Sequence, residues 1–434
     1  MRTFVAITDE ALWQLKQQLA FPLPDQPGLR RLSVPVAPDE ARDPLAWLAA
    51  QPHFPQFYWQ QRGNEDEAAA LGALRRFPSL ADAQTFLRHS GDPQLRIWGL
   101  NAFDPQHGDL FLPRLEWRRE GAQAWLCLTL WSDTSLRDDA RHAATFLDQL
   151  HPATSLSPLT LELTGEQHSP DHAGWCQRVR LATDAIAQQQ MDKVVLARAS
   201  DLHFSQPVNA AALMAASRRV NFSCYHFYMA FSPQAAFLGS SPERLWRRID
   251  RALRTEALAG TIENHADDHR ARALGQWLLT DDKNQRENQL VVDDICQRLE
   301  PLGNGYDILP AQVLRLRKVQ HLRRCIWMTL TVPDDAQCLR QLQPTAAVAG
   351  LPREAAREFI RQHEPFSREW YAGSAGYLSA RQTEFCVALR SAQVTDNTVR
   401  LYAGAGIVAG SDPQLEWQEI ENKAAGLRSV LLMD

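Results

Sequence analysis

Glu416, Glu419 and Lys423 are spaced so that, on a helix, they share one face with Ile420 and Leu427. Ser411-Asp412-Pro413 announces that helix, because a capping residue followed by proline suits a first turn. A carboxylate on an apolar stripe is costly unless it is paired or holds a metal, and here two sit together with a lysine one turn on. Glu287 opens a second such stripe, continued by Val291, Ile295 and Leu299. Carboxylates brought together from two helices can supply oxygen ligands to Mg²⁺, which takes one or two protein carboxylates and completes its shell with water and substrate oxygens. The same spacing also fits exposed ion pairs without function, and the pattern alone leaves both readings open.

Other segments could complete a site. Lys193 begins the apolar run Val194-Val-Leu-Ala; at a strand start it either reaches out to water or, if buried, becomes an amine able to take a proton. Glu243 lies in Gly239-Ser-Ser-Pro-Glu, a turn between two strands. Gly404-Ala-Gly406 follows the strand-like Val399–Ala403 and precedes the capped helix, and Gly260-Thr261 follows Ala257-Leu-Ala. Both read as turns whose backbone donors could approach an anion, although plain turns look the same. No dinucleotide or phosphate-loop fingerprint is present.

These residues need a frame. The chain has 434 residues, 45% apolar and 22% charged, with a formal charge of -5, so neither a nucleic-acid groove nor an anionic-membrane patch is expected. The basic runs Arg244-Leu-Trp-Arg-Arg and Arg315-Leu-Arg-Lys read as strand faces or local ion pairs. No stretch reaches the roughly 18 to 20 apolar residues of a membrane span, and the N-terminus turns acidic at Asp9-Glu10, which predicts no secretory signal. Seven scattered cysteines without a CxxC pair predict buried thiols in a reducing cytoplasm, not disulfides or zinc.

A helix is expected from Thr8-Asp-Glu through Leu19, and strands at Phe57-Tyr-Trp, Leu95–Leu100 and Ala124–Trp131, then a helix over Asp138–Leu150. The Ser-, Thr- and Pro-rich segment 152–171 reads as a connection, dividing an N-terminal region, 1–165, from a catalytic region, 166–434. Beyond it Trp175–Gln190 is helical and Lys193 begins a strand, and strands and helices then alternate to the end. The pattern is that of an α/β or α+β protein rich in strands, and it leaves open whether the two regions share one large fold.

Taken in order, these segments resemble the chorismate-utilising enzymes, the family of anthranilate synthase component I and isochorismate synthase. The resemblance runs through Lys193-Val-Val-Leu-Ala-Arg, Phe237-Leu-Gly-Ser-Ser-Pro-Glu-Arg-Leu, Glu256-Ala-Leu-Ala-Gly-Thr261 and Asn284-Gln-Arg-Glu-Asn-Gln-Leu. It continues through Val319-Gln-His-Leu, Gln343-Pro-Thr, Tyr371-Ala-Gly-Ser-Ala-Gly-Tyr, Leu401-Tyr-Ala-Gly-Ala-Gly and Ser411-Asp-Pro-Gln-Leu-Glu-Trp-Gln-Glu-Ile-Glu-Asn-Lys. It covers roughly residues 175–434, and Pro55-Gln-Phe-Tyr-Trp-Gln-Gln-Arg resembles the menaquinone-pathway branch in particular.

The resemblance implies an α+β fold in which antiparallel sheets form a β-sandwich with helices packed outside. It implies conversion of chorismate to isochorismate, on the way to menaquinone, with Mg²⁺ and no obligate protein partner. Lys193 matches the base that activates water, and Glu243 the acid that protonates the departing hydroxyl. Glu287 and Glu419 match metal ligands, with Glu416 and Asn284 behind them. Arg390, Tyr371, Lys423 and the Gly404 and Gly406 backbone match groups that hold the substrate carboxylates, and Gly260 and Thr261 line the ring site. Relatives that attack through a lysine carry it where this chain has Ala259, and anthranilate synthases carry glutamine in place of Lys193, so water is the expected nucleophile. Gln343 and Asn288 replace two histidines frequent in the family and leave the metal ligand in place. The rivals are a salicylate synthase, which shares Lys193 and Glu243, and a catalytically silent chorismate-binding subunit. A carboxylate-rich metallohydrolase lacks the expected histidine ligands.

Overall fold

Alternation along Gln56–Gln60 separates two cores: Phe57 and Trp59 enter one apolar cluster, and Tyr58 between them enters another. The neighbouring strand Asp66–Phe77 does the same, with Ala68 and Ala70 on one side and Ala69 and Leu71 on the other. A strand with both faces apolar must be covered on both, and the chain builds its layers accordingly. The computed structural model describes residues 9–37 and 43–432. The expected helix start at Thr8 and the first residues of the chain lie outside these; the helix is described as Asp9–Leu19.

One antiparallel layer carries Leu163–Ser169, Lys193–Phe204, Thr398–Ile407, Ser391–Thr395, Ala235–Ser241, Tyr225–Ser232, Gln56–Gln60 and Asp66–Phe77 in spatial order. A second carries Ile97–Asn101, Ser374–Leu378, Gln382–Val387, Arg244–Ile249, Ala252–Glu263 and Val319–Leu330. The long strand Gly108–Glu120 pairs with both, through Asp66–Phe77 and Ile97–Asn101. Trp59, Phe227 and Phe237 of the first layer meet Trp98, Tyr377, Trp246 and Phe385 of the second in the central core, with Trp246 stacked on Phe385 at 4.9 Å. Helices cover the outer faces, including Asp282–Leu299 on the second layer and Pro413–Leu432 on the first. This is the α+β sandwich with external helices that the resemblance implied.

One reading changes. The segment 152–171 is not a free connection, because Leu163–Ser169 joins the sheet beside Lys193–Phe204. Sheet pairing runs between the N-terminal and catalytic regions, Gln56–Gln60 lying against Tyr225–Ser232 and Ile97–Asn101 against Ser374–Leu378. The seven cysteines are all free thiols, and five of them are buried. Among the described residues no helix is long and apolar enough to cross a membrane.

Candidate active site

Pro242 and Glu243 are where the chain leaves one layer for the other: Ala235–Ser241 belongs to the first and Arg244–Ile249 to the second. The Glu243 carbonyl accepts from the Val387 N–H at 3.0 Å, and its side chain is buried. Burial, reinforced by the negative charge of Glu256, pushes its carboxyl up to about 8, although Lys193, Arg390 and Arg62 all pull the other way. A carboxyl with that environment keeps its proton at neutral pH and has it to give.

Lys193 heads its strand and is buried to 2% exposure, in contrast to a lysine that reaches out to water. Its Nζ donates to Glu287 Oε1 at 3.4 Å. Room for it comes from the neighbouring strand: a methyl on Gly406 would stand 2.9 Å from Lys193 Cε and 3.4 Å from Nζ. Gly404 similarly leaves space for the Tyr371 hydroxyl, 2.8 Å from where its Cβ would be. Both glycines were expected in a turn. They lie inside Thr398–Ile407, paired across from Ala197 and Val195, so what they contribute is the missing side chain. Gly260 and Thr261 are also strand residues, at a bulge in Ala252–Glu263 where the register shifts after Leu258. Gly260 has a φ of 90°, which favours glycine, and a Cβ there would press on Asn284 at 3.2 Å.

Glu287 projects from Asp282–Leu299 and Glu419 from Pro413–Leu432, and Lys193 acts on both, by hydrogen bond with the first and by charge with the second. Burial alone would raise the Glu419 carboxyl; Lys423, paired to it at 2.6 Å, overrides this and holds it below the usual carboxylate range. Lys423 also donates to the Gly404 carbonyl at 2.9 Å. Glu416, a turn away, is pushed up to about 7 by burial and by the charge of Glu419. Among the described residues no three His, Cys, Asp or Glu side chains converge as a self-sufficient metal cluster. An oxygen-only pair of carboxylates fits a hard ion such as Mg²⁺, which keeps water and substrate oxygens in its shell. Asn284 works differently from the expectation that it backs the metal. Its Oδ1 accepts from Thr261 N–H at 3.0 Å and its amide donates to Asp281, the helix cap, so it ties the bulge at Gly260 and Thr261 to the helix start.

Arg390 adopts a φ of 48° and, among the described residues, forms no salt bridge. Its guanidinium donates to His321 Nε2 at 3.1 Å, and His321 Nδ1 lies 3.0 Å from Thr261 Oγ1. Burial and the charges of Arg390 and Lys423 keep His321 neutral, well below the ordinary histidine range, so Nε2 accepts from Arg390 and Nδ1–H donates to Thr261. Burial also works against the charge on Arg390. A buried cation without a carboxylate partner is a place for an anion to enter. Tyr371 is buried, stacks on Tyr402 at 5.0 Å, and is pushed up to about 12 by burial, so it is a hydroxyl donor at neutral pH.

The sequence reading assigned no role to His321, Arg62 or Glu256. His321 and Glu256 lie inside the runs that carried the resemblance, and Arg62 ends the run Pro55–Arg62. His321 and Glu256 lie within strands and Arg62 just after one, each beside at least one polar neighbour, so no local pattern marks them.

Residues 100–432 match the family described as chorismate binding enzyme. The chain is 63% identical to the isochorismate synthase MenF of Escherichia coli, over 98% of this chain and 99% of that protein. It is 41% identical to the MenF of Pasteurella multocida over 89% of this chain and 90% of that protein. The crystal structure of the menaquinone-specific isochorismate synthase MenF from Escherichia coli superposes with a TM-score of 0.96, covering 97% of this chain and 99% of that chain.

Proposed function

This chain belongs to the chorismate-binding enzymes, and on that premise we propose that it is an isochorismate synthase, adding water at carbon 2 of chorismate and releasing the hydroxyl at carbon 4. The observation that carries this is the pairing of Lys193 and Glu243. One is a buried amine and the other a buried carboxyl held protonated at neutral pH, close enough that the lysine, when protonated, is felt at the carboxyl. Hydroxyl exchange needs one group to take a proton and one to give a proton, and opposed environments provide such a pair. Lys193 takes a proton from water as its oxygen bonds to carbon 2. The ring double bonds shift, the bond from carbon 4 to oxygen breaks, and Glu243 protonates the departing oxygen, which leaves as water. Solvent returns both groups to their starting states, and the same path run backward makes the isomerisation reversible.

Chorismate carries two carboxylates, and the site has unmatched cationic and hydroxyl donors. Arg390 and Tyr371 are placed to hold one, with Lys423 and the strand containing Gly404 and Gly406 beside them. Thr261, fixed by Asn284 and His321, would line the ring site. Glu287 and Glu419, with Glu416 behind, are the residues that would hold Mg²⁺. Bound there, the ion would supply a positive anchor for a substrate carboxylate. The 63% identity to a MenF isochorismate synthase supports placing the reaction on the route to menaquinone.

Purified protein incubated with chorismate and Mg²⁺ tests the reading. Isochorismate alone is the expected product. Salicylate together with pyruvate would make the protein a salicylate synthase, and no turnover without an added partner would make it a silent binding subunit.

A further inference from the structure

Arg62 follows the strand Gln56–Gln60, far in sequence from the groups assigned to the reaction, yet its guanidinium ends beside the acid. Nη1 donates to the Pro242 carbonyl at 2.7 Å and to Glu256 Oε1 at 2.6 Å, and Nη2 donates to Glu256 Oε2 at 2.9 Å. Glu256 Oε1 in turn accepts the Arg244 N–H at 2.8 Å. The residues before and after Glu243 are therefore both tied to one buried ion pair, Pro242 through its carbonyl and Arg244 through its amide. The pair is nearly inaccessible, with side-chain exposures of 11% for Arg62 and 1% for Glu256. Its guanidinium lies 5.3 Å over the Tyr225 ring, and the Tyr225 hydroxyl donates to Glu384 at 2.9 Å.

We propose that Arg62 and Glu256 are a positioning pair for Glu243, fixing the turn that carries the acid and setting the charge around its carboxyl. The proposal rests on the reading of Glu243 as the acid. A fork of two parallel hydrogen bonds gives direction as well as attraction, which suits a part that must hold a neighbouring carboxyl in one place. The charge argument has a definite sign. Glu243 faces one negative group, Glu256 on Ala252–Glu263, and three positive ones: Lys193, Arg390 and Arg62. Glu256 discourages ionisation of Glu243, and by neutralising Arg62 it also limits that residue's pull in the opposite sense. Removing the Glu256 charge therefore acts twice in one direction, and the acid ionises more readily.

The test is the pH profile of isochorismate formation by the full chain for wild type, Glu256→Gln, Arg62→Lys and Glu243→Gln. With Glu256→Gln the alkaline limb moves down by on the order of one pH unit, the usual effect of a like charge at this range. Arg62→Lys keeps the charge but loses the fork, so kcat falls roughly 10- to 10²-fold with KM little changed, and the limb stays in place. Removing one partner of a buried pair weakens folding; the charge-conserving lysine variant keeps the proposal exposed to refutation if Glu256→Gln does not fold. Glu243→Gln separates the two readings. If it is inactive while Glu256→Gln leaves the limb unmoved, or while Arg62→Lys turns over at the wild-type rate, the positioning pair is refuted and the acid stands. If Glu243→Gln turns over normally, the acid itself is wrong and the pair goes with it.

Discussion

Lys193 Nζ and Glu287 Oε1 are 3.4 Å apart at a place where the lysine is almost wholly buried. Two assigned roles therefore meet in one contact, a base for water and a ligand for the metal. When the oxygens of Glu287 are engaged elsewhere, the amine is released from that contact. The first prediction follows for the amine. Lys193→Ala loses at least about 10²-fold in isochorismate formation, the usual scale for a general base, while chorismate still binds through Arg390 and Tyr371. Product formation and substrate binding measured on the same preparation check it, and near-wild-type turnover removes Lys193 from the mechanism.

Gly406 offers a finer probe of the same amine. A methyl there meets the flexible end of Lys193, at 2.9 Å from Cε, and meets no backbone atom among its nearest contacts. The lysine can swing aside at small cost in stability, but it then no longer points at the reacting carbon. Gly406→Ala is expected to keep a thermal midpoint close to wild type and to lose roughly 10- to 10²-fold in kcat, as small misplacements of catalytic groups do. A variant equally stable and equally active would show that the lysine has slack at this site.

The glycines also show where sequence alone misleads. Arg390 and Tyr371 came only from the family resemblance; local pattern gave several strands and both acid-bearing helices, because periodicity and capping are written in neighbouring residues. It put Gly404, Gly406, Gly260 and Thr261 in turns, since glycine after an apolar run usually punctuates; here long strands carry them, and what matters is the absent Cβ, visible only once Lys193 and Tyr371 are in place. Asn284 was expected near the metal from the resemblance alone; its amide group bonds the helix cap Asp281 and the backbone of Thr261 at the strand bulge. The link from Arg62 to Glu256 depends on pairing between strands far apart in the chain, which no short-range period encodes.

The acid gives a prediction in two measurements. If Glu243 is the acid, it acts when protonated, and its carboxyl sits at about 8 in the free protein, so kcat/KM is expected to fall as pH rises through that value. The same shift has a stability consequence. The folded state retains a proton at pH values where the unfolded carboxyl, with its ordinary value of 4.5, has lost one, so stability contributed by this group is complete below about 4.5 and is lost as pH rises toward 8. Glu243→Gln removes that penalty. Its thermal midpoint should exceed wild type by a margin that is absent in mild acid and grows up to about pH 8, and a margin independent of pH would contradict the assigned environment.

Glu287 and Glu419 make the metal assignment testable apart from catalysis. If both carboxylates hold Mg²⁺, either Glu287→Gln or Glu419→Gln weakens the ion's binding by a factor of about 10 or more, since even outer partners of metal sites are worth 10- to 100-fold. Calorimetric titration of Mg²⁺ into each variant reads this without requiring turnover. The two variants should differ in one respect. Glu419→Gln also releases Lys423, which is paired to it at 2.6 Å and bonded to the Gly404 carbonyl; the freed cation then stands closer to balancing a substrate carboxylate. Chorismate binding in the absence of the ion is therefore expected to be strengthened in Glu419→Gln and unchanged in Glu287→Gln. If neither substitution alters Mg²⁺ affinity, the two carboxylates are structural ion-pair partners of Lys193 and Lys423, and the ion is held elsewhere.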